Sequence, residues 1–220
     1  MEISTPLLRF TAYYSRHGFG ATIQRTALAI RRSLFANRAV IFWCDLSQEA
    51  TLPEGLPPSL KVERLRSLDA LDQQELHEIT QFWNPKLASR NIKERFDRGA
   101  SLWVIRFEGE LAGYGWTLQG SPISPYYFPL ATTDVQFFDF HVFRKFRGRA
   151  IDWCLMTRIL HELAAAGARR AFAEAAEWNC PSLSSIGMTP FRRLGCARTW
   201  TIFRRTIVCW SPNKQSGTIQ

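Results

Sequence analysis

Residues 135–150 read VQFFDFHVFRKFRGRA and carry the strongest structural signal in the sequence. The first part, 135–143, is rich in aromatic and β-branched residues, which is typical of a buried strand. A basic turn around Gly148 follows, and apolar residues then recur every four positions, which predicts a helix over 150–166. A strand that runs through a glycine turn into a helix is a common anion site, because the first N–H groups of the helix lack intrahelical partners.

The turn offers an anion both backbone amides and positive charge. Gly148 has no Cβ, so a phosphate can approach the backbone closely, and Ala150 leaves the helix start unobstructed. Positive charge around the turn comes from Arg144, Lys145, Arg147 and Arg149. The G-x-G-x-x-G and G-x-x-x-x-G-K-[ST] fingerprints are absent from the sequence, which argues against a Rossmann dehydrogenase or a P-loop NTPase. Taken alone, the turn is equally consistent with a basic helix-breaking turn that binds nothing.

Strands and helices follow one another in a regular order on both sides of this unit. Apolar and β-branched runs predict strands at 38–46, 60–65, 101–107, 111–118, 171–178 and 198–208. Helical periodicity predicts further helices at 69–83, 86–97 and 181–188. Glu108-Gly109-Glu110 predicts a tight hairpin, and Gly167 ends the long helix.

Composition divides the chain into three parts. Residues 1–59 form an N-terminal segment with a basic amphipathic helix, a strand and a proline-rich linker. The main domain is expected at 60–210. The polar residues 211–220 are expected to be a disordered tail.

The charge is strongly basic, with a net value of +9, which favours an anionic partner. Residues 1–38 carry six arginines against one acid, and 7–35 read as a helix. This helix either packs on its own domain, the favoured interpretation, or lies on an anionic membrane. No nucleic-acid-binding module is recognisable, so no nucleic-acid partner is expected.

The sequence shows no recognisable targeting or metal-binding pattern. The sequence has no apolar run near 20 residues and no signal peptide, and its five cysteines are scattered. The four histidines show no metal-ligand spacing. We therefore expect a cytoplasmic protein with reduced thiols and no metal, with a peripheral position on the inner face of the membrane as the alternative location.

In their order, these motifs resemble the GNAT superfamily of N-acyltransferases. In that family a strand ending in valine enters a turn of the form Q/R-x-x-G-x-G/A. Here Val142 precedes Lys145-Phe146-Arg147-Gly148-Arg149-Ala150, with lysine in the Q/R position. The family's Asn-x-x-Ser segment corresponds to Asn179-Cys180-Pro181-Ser182. Its Gly-Phe pair corresponds to Pro190-Phe191 or, in a second register, to Gly195-Cys196.

The resemblance covers residues 60–205 and is strongest over 134–196. It implies an α+β fold: a mixed, mostly antiparallel sheet with two splayed parallel strands, flanked by helices. Acyl-coenzyme A would lie between the two strands. Implied cofactor-binding positions are the backbone of His141, Val142 and Phe143, the amides of Arg147, Gly148, Arg149 and Ala150, and the side chains of Asn179 and Ser182. For Asn179, a helix N-cap is the open alternative.

Acyl transfer to an amine needs a base that removes a proton from the ammonium. By simple alternation, one strand face would carry Val135, Phe137, Asp139, His141 and Phe143. Asp139 is the first candidate base and His141 the second. Glu174 on the following strand could act through a water.

The general acid of many family members is a tyrosine, and this sequence lacks it. The corresponding position is Ile186, or Phe191 in the second register. Either the thiolate leaves unassisted, as a thiol of pKa about 8.5 permits, or Tyr126 or Tyr127 substitutes.

The resemblance implies an N-acyltransferase that moves an acetyl or other acyl group from acyl-CoA to a small-molecule amine, such as an amino sugar or amino-acid derivative. The arrangement is similar to transferases of bacterial cell-envelope or exopolysaccharide gene sets. One alternative donor is an acidic acyl-carrier protein, with longer chains in a gap lined by Phe137, Phe138 and Phe140. A non-catalytic module that binds coenzyme A or docks on a membrane is the other alternative.

Overall fold

The computed structural model describes residues 14–15, 18–20, 22–24, 26–27, 38–47, 57–81, 85–120, 126–202 and 205–213. Its strands are β1 (Arg38–Asp45), β2 (Leu60–Leu65), β3 (Ser101–Phe107), β4 (Glu110–Gln119), β5 (Asp134–Val142), β6 (Arg170–Ala176), β7 (Arg192–Ile202) and β8 (Arg205–Pro212). The labelled helices are α1 (Gln73–Thr80), α2 (Pro85–Asp97), α3 (Ile151–Ala165) and α4 (Cys180–Gly187). Short 3-10 turns occupy Leu68–Ala70 and Arg144–Phe146.

The strands form one sheet in the order β2-β3-β4-β5-β6-β1-β7-β8. All neighbours are antiparallel except β5 and β6, which run parallel. The predicted mixed sheet with helices around it is therefore confirmed. The helix predicted over 69–83 is shorter than expected, because Asp72 caps α1 by accepting bonds from the N–H groups of Gln74 and Glu75 at 2.8 and 3.3 Å.

β1 lies inside the sheet, between β6 and β7, and is antiparallel to both. The sequence analysis placed this strand in the segment 1–59, ahead of a domain starting at residue 60. The sheet instead begins at Arg38. The physical reason is that consecutive residues such as Val40 and Ile41 are both buried, so the strand needs cover on both faces.

The two ends of the chain are described only in part. Of the helix predicted over 7–35, the described fragments between residues 14 and 27 are helical, and the rest lies outside the described residues. Ser211 and Pro212, predicted to belong to the tail, are the last residues of β8. The tail from residue 214 onward also lies outside the described residues.

One face of the sheet, called here the front face, carries Trp116, Phe138 and Phe172. Helix α2 covers part of it, with the ring of Phe96 5.1 Å from that of Trp116. Residues 126–130 pack against Phe172 and cover another part. The front face is thus covered by α2 and by the connection between β4 and β5.

The opposite face, called the back face, carries Trp103, Thr117 and Phe137, and the indole N–H of Trp103 donates to Thr117 at 2.8 Å. Helix α3 covers this face. Arg64 lies 5.0 Å from the Trp103 ring and interacts electrostatically with Glu162 of α3. Within the described ranges, no helix is long and apolar enough to cross a membrane.

A buried ion pair joins the paired ends of β5 and β6. The Asp134 carboxylate, 1% exposed, accepts from Nε and Nη2 of Arg170 at 2.8 Å each and from the Ala131 N–H at 2.8 Å. Removing one partner of a buried pair leaves the other uncompensated, so we expect Asp134→Ala to lower the free energy of unfolding by about 3 kcal/mol. Denaturant unfolding measures this value.

The matched control is Glu177→Ala, which removes an exposed ion pair to Arg38. Exposed pairs contribute at most about 1 kcal/mol, so this variant should unfold almost as the wild type does. If Asp134→Ala and Glu177→Ala lower the free energy of unfolding equally, the buried pair does not stabilise the fold more than the exposed one.

Candidate functional site

The candidate site lies where β5 and β6 part. The two strands pair over four residues, from Asp134 with Arg170 to Phe137 with Ala173. Beyond that point β5 follows β4 as far as Val142, and β6 follows β1. Backbone groups on the facing edges of the two strands therefore border a gap.

A β-bulge interrupts β5 beside this gap. Asp139 has φ +54°, and the β4–β5 register shifts so that Gly115 faces two residues of β5. Asp is among the few residues that adopt left-handed backbone geometry at modest cost. The bulge reverses the alternation of side chains, so Phe137 stacks on Phe140, three positions later, with centroids 5.5 Å apart.

This reversal overturns the predicted common face of Val135, Phe137, Asp139, His141 and Phe143. Phe137 lies on the back face, whereas His141 pairs with Tyr114 on the front face. The predicted apolar gap lined by three phenylalanines is also wrong. Phe138 stacks on Trp116 at 6.3 Å on the front face, away from its two neighbours.

Gly115 makes room for the bulge. A Cβ at this position would lie 2.3 Å from the ring of Phe140. Because Phe140 is stacked on Phe137, we expect Gly115→Ala to lower the free energy of unfolding by about 2 kcal/mol or more. Gly187→Ala is the control, since a Cβ there meets nothing within 4 Å. Similar unfolding midpoints for the two variants would show that Phe140 can move freely.

Helix α3 begins with an exposed turn. Residues 147–150 are all exposed, and Gly148 and Ala150 have φ values of +79° and +54°. The first intrahelical bond runs from the Cys154 N–H to the Ala150 carbonyl at 3.0 Å. Within the described residues, no side chain caps this helix start. Its first amides therefore lack a side-chain acceptor in the described part of the chain, as an anion site requires.

The basic side chains around the turn also contact the sheet. Arg147 Nε donates to the Val142 carbonyl at 3.3 Å, and the Arg149 guanidinium lies 5.1 Å from the Phe107 ring. Lys145 forms an ion pair with Glu110. These contacts fix the turn on the sheet while the charges stay exposed. A Cβ at Gly148 would meet nothing within 4 Å, so lack of space does not explain the glycine. Its left-handed φ does, because glycine adopts this geometry without strain.

Backbone and capping bonds use several of the predicted cofactor contacts. The Phe143 N–H donates to the Ala112 carbonyl at 3.0 Å, toward β4, so this amide does not face the gap. The Arg147 N–H, another predicted contact, donates to the Arg144 carbonyl at 3.4 Å. Asn179 caps α4: its Oδ1 accepts from the Ser182 N–H at 3.5 Å, and its Nδ2 donates to Ser182 Oγ at 2.7 Å. The capping alternative for Asn179 is therefore present. Contact of either side chain with a cofactor stays a prediction.

Asp139, the first candidate base, is engaged by a cation. Its carboxylate accepts from Arg95 Nη1 at 2.7 Å. The Arg95 guanidinium also lies 5.0 Å from the Trp116 ring and 5.3 Å from the Phe138 ring. Arg95 thus joins α2 to the bulge, and proton transfer to Asp139 would have to disturb this ion pair.

His141, the second candidate, packs against Tyr114 and Phe143 with centroid distances of 5.6 and 5.3 Å. Burial lowers its pKa below the usual 6.5, Arg147 lowers it further, and Asp139 opposes both effects. The imidazole is therefore neutral at pH 7. In the described part of the chain, no cluster of His, Cys, Asp and Glu could hold a metal ion.

Glu174, the third candidate, is the first residue of β6 beyond the paired segment. Solvent reaches its surface, yet burial raises its pKa above the ordinary value of 4.5, with a hydrogen bond from Tyr127 acting in the opposite direction. Glu174 therefore combines an exposed surface with a carboxyl that its surroundings make harder to ionise. This position suits a proton acceptor beside the gap.

Arg95 and the bulge are features of the candidate site that the sequence pattern does not predict. Two glycines, Gly113 and Gly115, inside strand β4 were the available signal, because glycine within a strand often marks a bulge or a close backbone approach. No signal pointed to Arg95, which reaches Asp139 across 44 positions of sequence.

The model of the acetyltransferase (GNAT) family matches residues 62–185, more than half of the chain. A GNAT-family acetyltransferase from Colwellia psychrerythraea is 12% identical, with a TM-score of 0.53, over 88% of this chain and 63% of its own. A Drosophila protein is 15% identical, with a TM-score of 0.52, over 81% of this chain and 56% of its own.

A tandem GNAT protein from the clavulanic acid biosynthesis pathway is 15% identical, with a TM-score of 0.50, over 77% of this chain and 55% of its own. The chain thus spans between 55% and 63% of the length of these three structures. No curated protein matches the sequence significantly. On the family match and the architecture of its sheet, the chain belongs to the GNAT acetyltransferase family.

Proposed function

We propose that this chain is an acyl-CoA-dependent N-acyltransferase that acts on the amine of a small molecule, an amino sugar or amino-acid derivative. The observation that carries the proposal is the exposed, uncapped start of α3 next to the gap between β5 and β6. Unpaired amides at a helix start hold phosphate groups well. The gap beside them offers strand edges to an extended arm.

The donor would use two parts of the site. The amides of Gly148, Arg149 and Ala150 and the exposed arginines of the turn would hold the pyrophosphate, and the backbone of Val142 would border the pantetheine arm. Acyl-CoA supplies the activated thioester. No described residue needs to move for the turn to be reached, since 147–150 are exposed.

Glu174 is the base that the geometry favours over Asp139 and His141. Its ionised carboxylate would take a proton from the acceptor ammonium beside the gap, directly or through a water. Ile186, at the position of the family's tyrosine, is 5% exposed and has no proton to donate. A coenzyme A thiol of pKa about 8.5 can leave as the thiolate without an acid.

Peripheral membrane contact through residues 7–35 is a separate proposal. Phe19 and Ile23 are 65% and 49% exposed in the described helical fragments, and the surrounding sequence is rich in arginine. Sedimentation with vesicles containing anionic lipid, compared with neutral vesicles, tests this contact.

The direct test of the enzyme is incubation of purified protein with acetyl-CoA and a cell extract, followed by mass spectrometry. The expected result is an acetylated amine that forms only with active protein. Acyl-carrier protein as donor in the same assay tests the alternative donor. Binding of coenzyme A without transfer to any amine would favour a non-catalytic module instead.

A further inference from the structure

On the front face, two buried polar atoms of the described residues have no hydrogen-bond partner. They are the Tyr126 hydroxyl oxygen and Gln136 Oε1. Such atoms are rare in folded proteins, because burial removes them from water without compensation. Among the described residues the third atom of this kind belongs to Thr157, on α3 and away from the front face.

Both atoms belong to residues that adjoin Phe172 on the front face. The Tyr126 and Phe172 ring centroids are 6.3 Å apart. Gln136 is the direct neighbour of Phe172 in the parallel β5–β6 register. Since aligned residues of neighbouring strands project to the same side, Gln136 and Phe172 share the front face.

Glu174 belongs to the same group. It lies two positions after Phe172 on β6 and therefore projects to the same face. Tyr127, next to Tyr126 in the chain, donates a hydrogen bond to its carboxylate. One carboxylate and two unpaired polar atoms thus belong to residues that neighbour a single phenylalanine on the front face.

Aromatic rings enclose this group. Phe128 lies 5.1 Å from Tyr126, 5.3 Å from Phe172 and 5.4 Å from Trp210. Apolar walls with a few convergent polar groups are the usual composition of a small-molecule site. Residues 126–130 therefore form an aromatic cover over Phe172, next to these polar groups.

We infer that Tyr126, Gln136 and Glu174 form the acceptor subsite, and that the acceptor is a primary amine with a hydroxyl near its amino group. The inference rests on the proposed function. Glu174 would bind the ammonium. A ligand hydroxyl can donate to Gln136 Oε1 and accept from the Tyr126 hydroxyl at once, which satisfies both orphan atoms. A plain alkylamine would leave both unpaired.

The test compares matched amines in an assay of thiol release from acetyl-CoA. The pairs are D-glucosamine with cyclohexylamine and ethanolamine with ethylamine. We expect the hydroxylated member of at least one pair to give a kcat/KM roughly tenfold higher than its plain partner. We expect Tyr126→Phe to lower the kcat/KM of that member roughly tenfold and to leave the plain amine unchanged.

A readout of stability accompanies the kinetics. Tyr126→Phe keeps the ring and removes the unpaired hydroxyl, so its Tm should equal or exceed that of the wild type. Phe128→Leu is the control. It should lower Tm through lost packing, and it should change the kcat/KM of both amines of a pair by the same factor. A Tyr126→Phe variant that loses Tm would show that the hydroxyl is already paired in the free protein, against the inference.

Four further outcomes are decisive. Equal kcat/KM values for the hydroxylated and plain amines would overturn the inference. So would a Tyr126→Phe variant that lowers kcat/KM equally for both amines of a pair. Protein that binds coenzyme A in calorimetry but acetylates none of the four amines also contradicts it, with the donor site intact. Protein that fails to bind coenzyme A contradicts the proposed function itself.

Discussion

Gly148→Asp is expected to weaken coenzyme A binding about a hundredfold or more, since it places a second anion within a few ångströms of the pyrophosphate. Gly148 has φ +79°, and its missing Cβ faces open space. Aspartate tolerates this backbone geometry better than most residues, so the protein should still fold. Isothermal titration calorimetry with coenzyme A measures the change, and circular dichroism checks the fold.

Gly148→Asn separates charge from shape. Asparagine has the size of aspartate and adopts left-handed geometry equally well, but it carries no charge. This variant should bind coenzyme A within about tenfold of the wild type, because only a neutral side chain has been added at an exposed position. If aspartate and asparagine weaken binding equally, or if neither does, the anion site at the start of α3 is refuted.

Glu174→Gln is expected to lower kcat at neutral pH by about a hundredfold to ten-thousandfold, the usual range for loss of a general base. The wild-type kcat/KM should rise with pH through the pKa of Glu174, which burial raises above 4.5. In Glu174→Gln this rise of kcat/KM with pH should be absent, because glutamine does not titrate. The measurement is the pH–rate profile of both proteins with one accepted amine.

The same variant should be more stable than the wild type at neutral pH. A carboxyl whose folded pKa is raised contributes stability below its unfolded pKa and loses it as pH rises through the folded pKa. Glutamine resembles the protonated form, so Glu174→Gln should have the higher Tm at pH 7 and a similar Tm at pH 4. A lower Tm at pH 7 would contradict the raised pKa.

Asp139→Asn is the matched control for the base assignment. It removes the charge that pairs with Arg95 but keeps the shape and the left-handed backbone at the bulge. We expect a loss in kcat of less than about tenfold, because the proposed base is Glu174 and not Asp139. A larger loss in Asp139→Asn than in Glu174→Gln would return the base role to Asp139.

Local pattern was sufficient to predict most elements of the sheet. The aromatic strand predicted over 135–143 and the four-residue periodicity of α3 depend on neighbours in sequence, and the structure confirms both, with the strand at 134–142. The Glu108-Gly109 turn is also confirmed, with positive φ at both residues. The resemblance to the GNAT family rested on this same ordered run, and the family match confirms it.

Side-chain direction after residue 138 was not predictable in the same way. Alternation along a strand holds only while the pairing is regular, and one left-handed residue, Asp139, reverses it. That geometry depends on Gly115 in the neighbouring strand and on Arg95 in α2. The exchange of candidate bases, from Asp139 to Glu174, follows from these distant contacts.

The sequence by itself determined the strand–turn–helix unit and the order of elements around it, because hydrophobic periodicity and turn chemistry act over a few residues. Only the tertiary structure decided that β1 enters the sheet, that Asp139 pairs with Arg95, and that Tyr126 and Gln136 both neighbour Phe172. Each of these results depends on burial and pairing between segments far apart in the chain. A short-range pattern carries no information about them.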